Sequence, residues 1–354
     1  MDILKRRSTK QVKVGSYTIG SGNPIRIQSM TTVPPSDIKG TLQQIASLEK
    51  EGCEIIRVAV PTLADALALK TIKKEINIPL VGDIHFDYKL AIESIRSGVD
   101  KLRINPGNIG NEEKIKAVVE EAKKYNIPIR IGVNAGSLEK EILEKYGKLT
   151  PEAIVESAMK HIRILEALDF SEIIISLKSS DVLETIKAYQ LLAEKVDYPF
   201  HIGITEAGTK VGGTIKSSVG IGSLLVLGLG DTLRVSLTGD PVEEVRVAKG
   251  ILKSLKLRSF GINLISCPTC GRCTIDLDKI ATVVEKKLST IDKNITVAIM
   301  GCAVNGPGEA KEADLGIAGG QKEAVLFKKG KIIRKIPEKN IIEELLKEIE
   351  AIDE

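Results

Sequence analysis

Four of the chain's five cysteines fall in two short stretches near its carboxyl end. Cys267, Cys270 and Cys273 have a C-x2-C-x2-C spacing, and Cys302 follows in a glycine-rich segment that runs on to Glu309. Thiolates spaced C-x2-C on one turn, joined by a ligand from a distant loop, can close a metal site. The spacing therefore indicates an iron–sulfur cluster or a structural zinc, and a chain this long without a secretion signal does not favour a disulfide framework.

Two ligand sets are compatible with this spacing. The four cysteines together would form the closed four-thiolate site of a ferredoxin, which only carries electrons. Alternatively Cys267, Cys270 and Cys302 bind together with Glu309, and Cys273 remains a bystander. A carboxylate is a harder and weaker iron ligand than a thiolate, so substrate oxygen can displace it. The second arrangement would make the cluster catalytic.

Composition narrows the classes of protein that could carry such a site. The chain has 354 residues, a formal net charge of +4, 3% aromatic residues and no tryptophan. A nucleic-acid-binding protein would be expected to show a basic stripe with aromatic stacking residues, so this composition argues against one. The length suits a large barrel with a smaller module. No apolar run reaches transmembrane length, and we expect a cytoplasmic protein.

The first two thirds of the chain alternate short apolar runs with amphipathic helices. The eight predicted strands are 25–30, 54–60, 80–84, 101–104, 128–133, 172–177, 200–205 and 232–237. The predicted helices are 38–51, 63–75, 89–97, 113–125, 151–168, 181–196, 217–227 and 241–254. This alternation is typical of an α/β fold with a (β/α)8 TIM-type barrel. An open doubly wound sheet is the alternative, but no G-x-G-x-x-G follows the first strand.

The sequence also predicts where the barrel ends. A hairpin within 11–20 precedes the first strand, and the barrel domain is assigned to residues 1–254. Residues 255–261 form a linker, and 262–354 form a small α+β domain that carries the cysteines. Its predicted elements are helix 280–288, strands 296–300 and 315–318, hairpin 324–327/331–336 and helix 338–352.

Cationic and polar residues occur where barrel strands are normally apolar. The cations are Arg57, Arg103, Arg130, Lys178 and Arg234, with Asn105, Asn134, Ser176 and Ser236 in phase with them. Residues two apart on a strand share a face, so these side chains meet at the carboxyl end of the barrel, where active sites of this fold lie. Burying so many unpaired cations is costly, so the pattern predicts a wet interior or a site for a phosphorylated ligand.

Titratable residues follow some of the same strands. Asp83 and His85 end the third strand, and His85 is either a proton donor or a hydrogen-bonded rim residue. Glu206 follows the seventh strand among the cations, so it is the better acid–base candidate. The glycine-rich stretch 207–218 that comes next leads into a predicted helix, whose N-terminus could bind an anion.

Six stretches together resemble one known family. They are Arg26–Thr31, Gly82–Phe86, Leu102–Asn108, Arg130–Asn134, the Cys267–Cys273 run and Asn305–Glu309. In these stretches the chain is similar to the 4-hydroxy-3-methylbut-2-enyl diphosphate synthases, the IspG/GcpE family, and the resemblance extends from about Arg6 to Lys331.

The resemblance implies a two-electron reductive ring opening and dehydration of 2-C-methyl-D-erythritol 2,4-cyclodiphosphate in the non-mevalonate isoprenoid pathway. It implies a [4Fe-4S] cluster on Cys267, Cys270, Cys302 and Glu309, substrate contacts from the five cations with Asn105, Asn134 and Ser236, and Glu206 near the reacting carbon. Cys273 departs from the family's usual pattern. Ferredoxin or flavodoxin would supply electrons, and a head-to-tail homodimer would form composite sites.

An alternative function is an iron–sulfur electron carrier or sensor that uses the barrel only as a scaffold. A pure carrier has no use for five buried cations, so the cationic interior favours the enzyme.

Overall fold

The computed structural model describes residues 5–288, 291, 293–303, 308 and 310–352. Contacts divide the chain into two compact units, Met1–Arg258 and Ser259–Glu354. Each unit is described by itself.

The first unit contains eight parallel strands in one sheet. They are β3 (Arg26–Met30), β4 (Ile55–Ala59), β5 (Leu80–Asp83), β6 (Lys101–Ile104), β7 (Ile129–Asn134), β8 (Ile173–Lys178), β9 (His201–Ile202) and β10 (Thr232–Leu233). Neighbours in sequence pair with one another, and β10 returns to pair with β3. The parallel bridge from Ile175 to Phe200 links β8 to β9. The result is a nearly closed barrel, which confirms the predicted (β/α)8 fold.

Helices connect the strands around the outside. They are α1 (Ile38–Glu51), α2 (Leu63–Glu75), α3 (Tyr88–Arg96), α4 (Pro106–Ile109), α5 (Glu112–Tyr125), α6 (Lys140–Tyr146), α7 (Pro151–Ala167), α8 (Val182–Ala193), α9 (Lys210–Val226) and α10 (Pro241–Ser254). Short polar residues fix where most begin, because their side chains accept a backbone N–H of the first turn. These N-caps include Asp37, Thr62, Asp87, Thr150, Asp181 and Asp240.

An N-terminal hairpin closes one end of the barrel. Strands β1 (Val12–Val14) and β2 (Tyr17–Ile19) are antiparallel. Their buried side chains form one apolar group with Ile55, Val81 and Ile174, which lie near the starts of barrel strands. The hairpin therefore packs at the amino-terminal end, and the carboxyl-terminal end is left for a site.

In the residues that the structure describes, the second unit contains a five-stranded mixed sheet and two helices of ten or more residues. Its strands are β11 (Asn263–Ser266), β12 (Thr296–Met300), β13 (Leu315–Gly319), β14 (Glu323–Lys328) and β15 (Lys331–Pro337), and its helices are α11 (Leu277–Leu288) and α12 (Ile341–Glu350). Strands β11 to β13 are parallel, and β14 and β15 run antiparallel. The sequence predicted every one of these elements except β11, whose side chains are mostly exposed and show no apolar alternation.

The glycine-rich stretch after β9 differs from its prediction. Helix α9 begins at Lys210, so Gly212 and Gly213 lie in its first turn rather than in a loop. A Cβ atom on Gly213 would stand 2.7 Å from a Leu237 methyl carbon and 2.8 Å from the Gly208 carbonyl oxygen. These glycines therefore belong to a helix start, and Gly213 permits its close packing. Among the described residues, no helix combines the length and apolarity needed to cross a membrane.

Candidate active site

The interior of the barrel holds the five predicted cations. Arg57, Arg103, Arg130 and Lys178 are buried, with exposures of 1 to 8%, and Arg234 is half-buried. Four of them lie on the different strands β4, β6, β7 and β8, and Arg234 directly follows β10, which ends at Leu233 and is shorter than the predicted strand 232–237. In β7, Gly132 leaves room for a neighbour, because a Cβ atom there would stand 2.6 Å from Nε of Arg103.

Asp83 at the end of β5 joins two of these arginines. Its Oδ1 accepts from Arg103 Nη1 at 3.0 Å, and its Oδ2 lies 3.6 Å from Arg57 Nε. Burial alone would raise the pKa of Asp83, but Arg57, the nearby His85 ring and Arg103 together hold that pKa well below its usual range. Burial lowers the pKa of Arg57 to about 10, against the attraction of Asp83. The carboxylate therefore stays charged and fixes two guanidinium groups.

A second carboxylate, which the sequence did not single out, neutralises Arg234. Glu244 in the first turn of α10 is 3% exposed, and its Oε1 accepts from Arg234 Nη2 at 3.1 Å. Its other oxygen accepts from Ser29 Oγ at 3.1 Å, and Oε1 also accepts from the Leu237 amide. Acidic residues are common in the first turns of helices, so nothing in the sequence distinguishes Glu244 as this partner.

Arg130 and Lys178 make no ion pair within the described residues. Nε and Nη2 of Arg130 are buried without a hydrogen-bond partner, as is Nε of Arg103. Burial, followed by the neighbouring arginines, lowers the pKa values of Arg130 and Lys178 well below normal. Buried donors with no acceptor are costly, so an incoming anion would satisfy groups that the fold leaves unsatisfied.

A sixth cation, Lys101, was missed by the sequence analysis. It is fully buried at the start of β6, and its Nζ donates to Gln28 Oε1 across the barrel at 3.2 Å. Burial, Arg130 and Arg57 lower the pKa of Lys101 well below normal. His201 is also fully buried, with Nδ1 2.8 Å from Thr232 Oγ1. Burial and the cations lower the pKa of His201, so this ring is neutral and structural.

The remaining predicted barrel residues surround the cations with differing exposure. Asn105 is buried, and its Oδ1 accepts the Gly107 amide at 3.2 Å, which leaves its NH2 group as a donor. Asn134 ends β7, and Ser236 is half-buried beyond β10. His85 is half-exposed, with Nε2 3.4 Å from Arg103 Nη1 and 3.7 Å from Asp83 Oδ2.

Glu206 is exposed in the loop between β9 and α9. Its φ of 51° lies in the left-handed region, which is uncommon for a residue with a side chain and occurs often at functional sites. Gly208, with φ of 115°, follows in the same loop. No described contact joins Glu206 to the buried cations, so the structure shows it at the rim rather than among them.

In the second unit, parallel strands bring two of the cysteine segments together. Cys267 follows β11, and Cys302 comes two residues after the neighbouring strand β12. Carboxyl ends of parallel neighbours share one edge of a sheet. There the Gly301 amide donates to Cys267 Sγ at 3.2 Å.

Cys270 and Cys273 lie on the connecting turn. The Cys273 amide donates to the Cys270 carbonyl at 2.9 Å, and Cys270 is exposed. Cys273 is half-buried, its thiol donates to the Ile275 carbonyl at 3.2 Å, and it packs against the apolar core. Among the residues described, no three His, Cys, Asp or Glu side chains are close enough to hold a metal ion. Glu309, the predicted fourth ligand, lies outside the described residues.

Comparison with known proteins identifies the family of the chain. The model of the GcpE TIM-barrel domain matches residues 9–249, and that of the GcpE protein C-terminal domain matches residues 263–351. The chain belongs to the GcpE family. Its relatives include proteins named 4-hydroxy-3-methylbut-2-en-1-yl diphosphate synthase (flavodoxin) from Caldanaerobacter subterraneus subsp. tengcongensis and from Caldicellulosiruptor saccharolyticus. The first is 63% identical over 99% of both chains, and the second is 60% identical over 97% of this chain and 99% of the relative.

Solved structures resemble the GcpE barrel only in fold. The dihydropteroate synthase from Stenotrophomonas maltophilia matches with a TM-score of 0.51 at 10% identity, over 70% of this chain and 98% of that structure. The family resemblance stated from the six sequence stretches is confirmed by the two family models and these relatives.

Proposed function

We propose that this GcpE-family protein is a 4-hydroxy-3-methylbut-2-en-1-yl diphosphate synthase. It converts 2-C-methyl-D-erythritol 2,4-cyclodiphosphate, two electrons and a proton into the open-chain allylic diphosphate and water. Breaking the ring C–O bond frees a phosphate oxygen, and loss of the neighbouring hydroxyl forms the double bond. The observation that carries this function is the set of buried, partly unpaired cations in the barrel, which matches an anionic substrate.

The cysteine region fits a [4Fe-4S] cluster in its donor chemistry. The proposed ligands are Cys267, Cys270, Cys302 and Glu309. Soft thiolates suit iron, and the carboxylate is a weaker ligand that substrate could replace. The Gly301 amide donates to Cys267 Sγ, which holds this sulfur at the sheet edge beside the segment that carries Cys302. Cys273 is instead engaged with the Ile275 carbonyl and the core, so we assign it no ligand role. The bound cluster would supply the electrons and a Lewis-acidic iron.

The barrel residues bind and orient the substrate. The diphosphate oxygens are held by the five cations Arg57, Arg103, Arg130, Lys178 and Arg234. Uncharged hydrogen bonds come from Asn105, Asn134 and Ser236. Asp83 fixes Arg57 and Arg103 before substrate arrives, which reduces the cost of ordering them on binding. Glu206 is the proposed acid–base residue near the reacting carbon, and His85 is a second proton donor at the rim.

We further propose that the protein is a homodimer in which one chain's barrel is completed by the partner's cluster. The two units are joined by a short segment at 255–261, and the reaction requires both on one substrate. Flavodoxin, which appears in the names of the relatives, is the proposed electron donor. The cytoplasmic location stays a prediction.

The function is tested by anaerobic purification followed by iron and sulfide analysis and turnover. We expect four irons and four sulfides for each chain, as [4Fe-4S] requires. Reduced methyl viologen as a small donor should convert the cyclic diphosphate to the allylic diphosphate. Iron-loaded protein that releases no allylic diphosphate would refute the proposal.

Composite sites are tested by mixing two inactive variants, Arg103→Ala and Glu309→Ala, under conditions that let subunits exchange. If sites form in trans, each mixed dimer has one intact site, and activity returns. If each site forms within one chain, every site keeps a defect, and the mixture stays inactive.

A further inference from the structure

Strands β8 and β9 pair where they enter the barrel but not at their carboxyl ends. Within the described residues a single bridge joins them, where the Ile175 amide donates to the Pro199 carbonyl at 3.0 Å. A parallel ladder repeats such a bond every two residues, so the Leu177 amide would next donate to the His201 carbonyl. The Tyr189 hydroxyl lies there instead. It accepts from the Leu177 amide at 3.0 Å and donates to the His201 carbonyl at 2.6 Å.

This hydroxyl bridge, formed by Tyr189 between Leu177 and His201, is fixed by burial and packing. Tyr189 reaches the strands from α8, is fully buried, and has its ring centre 5.2 Å from that of Phe200. Burial raises the pKa of Tyr189 to about 12, so the hydroxyl keeps its proton and remains a donor. One oxygen therefore satisfies an amide and a carbonyl together. The two strands are joined through an added atom rather than directly.

The hydroxyl bridge lies beside one of the five barrel cations. Lys178 directly follows Leu177 and is the last residue of β8. On the other edge of β8, pairing with β7 continues as far as Lys178, which lies opposite Asn134. A Cβ atom on Gly203, which follows β9, would stand 3.6 Å from Lys178 Nζ. The ammonium group therefore lies in front of the β9 chain, next to the point where the hydroxyl separates the strands.

The position of Lys178 depends on its strand because no carboxylate holds its ammonium group. Lys178 makes no ion pair within the described residues, whereas Arg234 is fixed by Glu244. A lysine is a compact charge on a flexible stem, so its backbone and its neighbours determine where the charge lies. Small displacements of a positioning group can weaken binding or catalysis many-fold.

We propose that Tyr189 is a positioning residue for substrate binding, whose hydroxyl sets the spacing of β8 and β9 and thereby directs Lys178 toward the diphosphate. This inference rests on the proposed function, in which Lys178 contacts that diphosphate. Tyr189 itself touches neither substrate nor cluster. Without the hydroxyl, the Leu177 amide and the His201 carbonyl either stay unpaired or close onto each other, and both outcomes move Lys178.

The test compares Tyr189→Phe with the matched variant Tyr198→Phe in the cluster-loaded protein. Tyr198 is also buried, and its hydroxyl donates to Glu166 Oε1 at 2.9 Å. Each variant loses one buried hydroxyl and keeps its ring, so thermal stability should fall in both. With reduced methyl viologen as donor, Tyr189→Phe should raise the KM for the cyclic diphosphate about tenfold and keep kcat within about twofold, because it removes binding of substrate and transition state alike. Tyr198→Phe should keep both constants within about twofold of wild type.

Two further measurements separate a positioning role from a structural one. In a Lys178→Met background, Tyr189→Phe should raise KM less than about twofold, because the ammonium group that it positions is absent. Hydrogen exchange followed by mass spectrometry reports the bridge without substrate. Exchange at the Leu177 amide should be faster in Tyr189→Phe and unchanged in Tyr198→Phe.

An unchanged KM in Tyr189→Phe would overturn the positioning role, even if exchange at the Leu177 amide became faster. A tenfold rise that persisted in the Lys178→Met background would overturn it as well, as would equal KM increases in the two tyrosine variants. Wild-type protein that neither bound nor converted the cyclic diphosphate would instead refute the proposed function, while hydrogen exchange would still show whether the hydroxyl joins the strands.

Discussion

Single side chains in the barrel interior differ in how their charge is compensated. Arg234 forms an ion pair with the buried Glu244. Arg130 has two donor nitrogens without a hydrogen-bond partner and no carboxylate partner in the described chain. Both are proposed to bind the same anion. Their contributions to stability should therefore differ even where their contributions to binding agree.

Arg130→Met and Arg234→Met should each weaken cyclic diphosphate binding by about 1.5 to 3 kcal/mol, the usual value of a charge-assisted hydrogen bond. Arg234→Met should also lower the free energy of unfolding by about 3 to 5 kcal/mol, because it leaves Glu244 buried without its partner. Arg130→Met should cost little stability. Calorimetry and chemical denaturation measure the two quantities.

The control is the double variant Arg234→Met/Glu244→Gln, which removes both charges. It should recover most of the lost stability without recovering affinity. If both single variants were equally stable, the pairing of Arg234 with Glu244 would carry no net energy and the account of the two sites would be wrong.

Cys270 and Cys273 lie on the same turn in different surroundings, so their replacement should have different effects. Cys273→Ser should keep iron content and turnover close to wild type, because the thiol is engaged with the Ile275 carbonyl. Cys270→Ser removes an exposed proposed ligand and should lower both. Iron analysis after anaerobic reconstitution measures the difference. Loss of the cluster in Cys273→Ser would favour the four-thiolate ligand set.

At the scale of elements, strand β7 determines where the arginine of its neighbour β6 can lie. Gly132→Ala would place a Cβ atom 2.6 Å from Arg103 Nε, so the Arg103 side chain must leave its present position, in which its Nη1 contacts Asp83. We expect the KM for substrate to rise about tenfold, the equivalent of about 1.4 kcal/mol. The stability of the fold should change little, because the Arg103 side chain moves and the backbone does not. Steady-state kinetics and thermal unfolding test this.

Gly136→Ala is the matched control for that change. A Cβ atom on Gly136 would meet nothing within 4 Å, so this variant should behave as wild type in both assays. Equal KM values for the two variants would show that Arg103 does not need the space beside Gly132.

Most elements of the barrel could be predicted because their apolar periodicity is strong and regular. The predicted strands 200–205 and 232–237 are only two residues long, as β9 and β10, and the short helices α4 and α6 were not predicted. Helices α1, α2 and α10 begin and end where the sequence predicted, since polar caps and apolar faces agree there. Strand β11 could not be predicted, because only its parallel pairing with β12 makes it a strand. Lys101 was missed for a related reason: a lysine at the first position of a short strand looks like an ordinary loop residue until the fold buries it.

For the whole molecule, our proposal is that the barrel and the cysteine domain contribute different parts of one reaction. The barrel presents buried cations, of which Arg130, Lys178 and Lys101 have no ion-pair partner in the described residues, and the second unit presents thiols at one sheet edge. An electron carrier or sensor would need the thiols but not the cations. The central claim is that substrate bound by the barrel reaches the iron of the cluster.

Electron paramagnetic resonance of the reduced, cluster-loaded protein tests that claim most directly. Spectra are compared with and without saturating 2-C-methyl-D-erythritol 2,4-cyclodiphosphate, in wild type and in Arg130→Met at a concentration too low to saturate that variant. The account predicts a changed cluster signal in wild type, because a carboxylate ligand such as Glu309 would yield to a substrate oxygen more readily than a thiolate would, and a smaller change in Arg130→Met. An unchanged wild-type signal at saturating substrate would contradict the account and favour a closed, electron-carrying cluster.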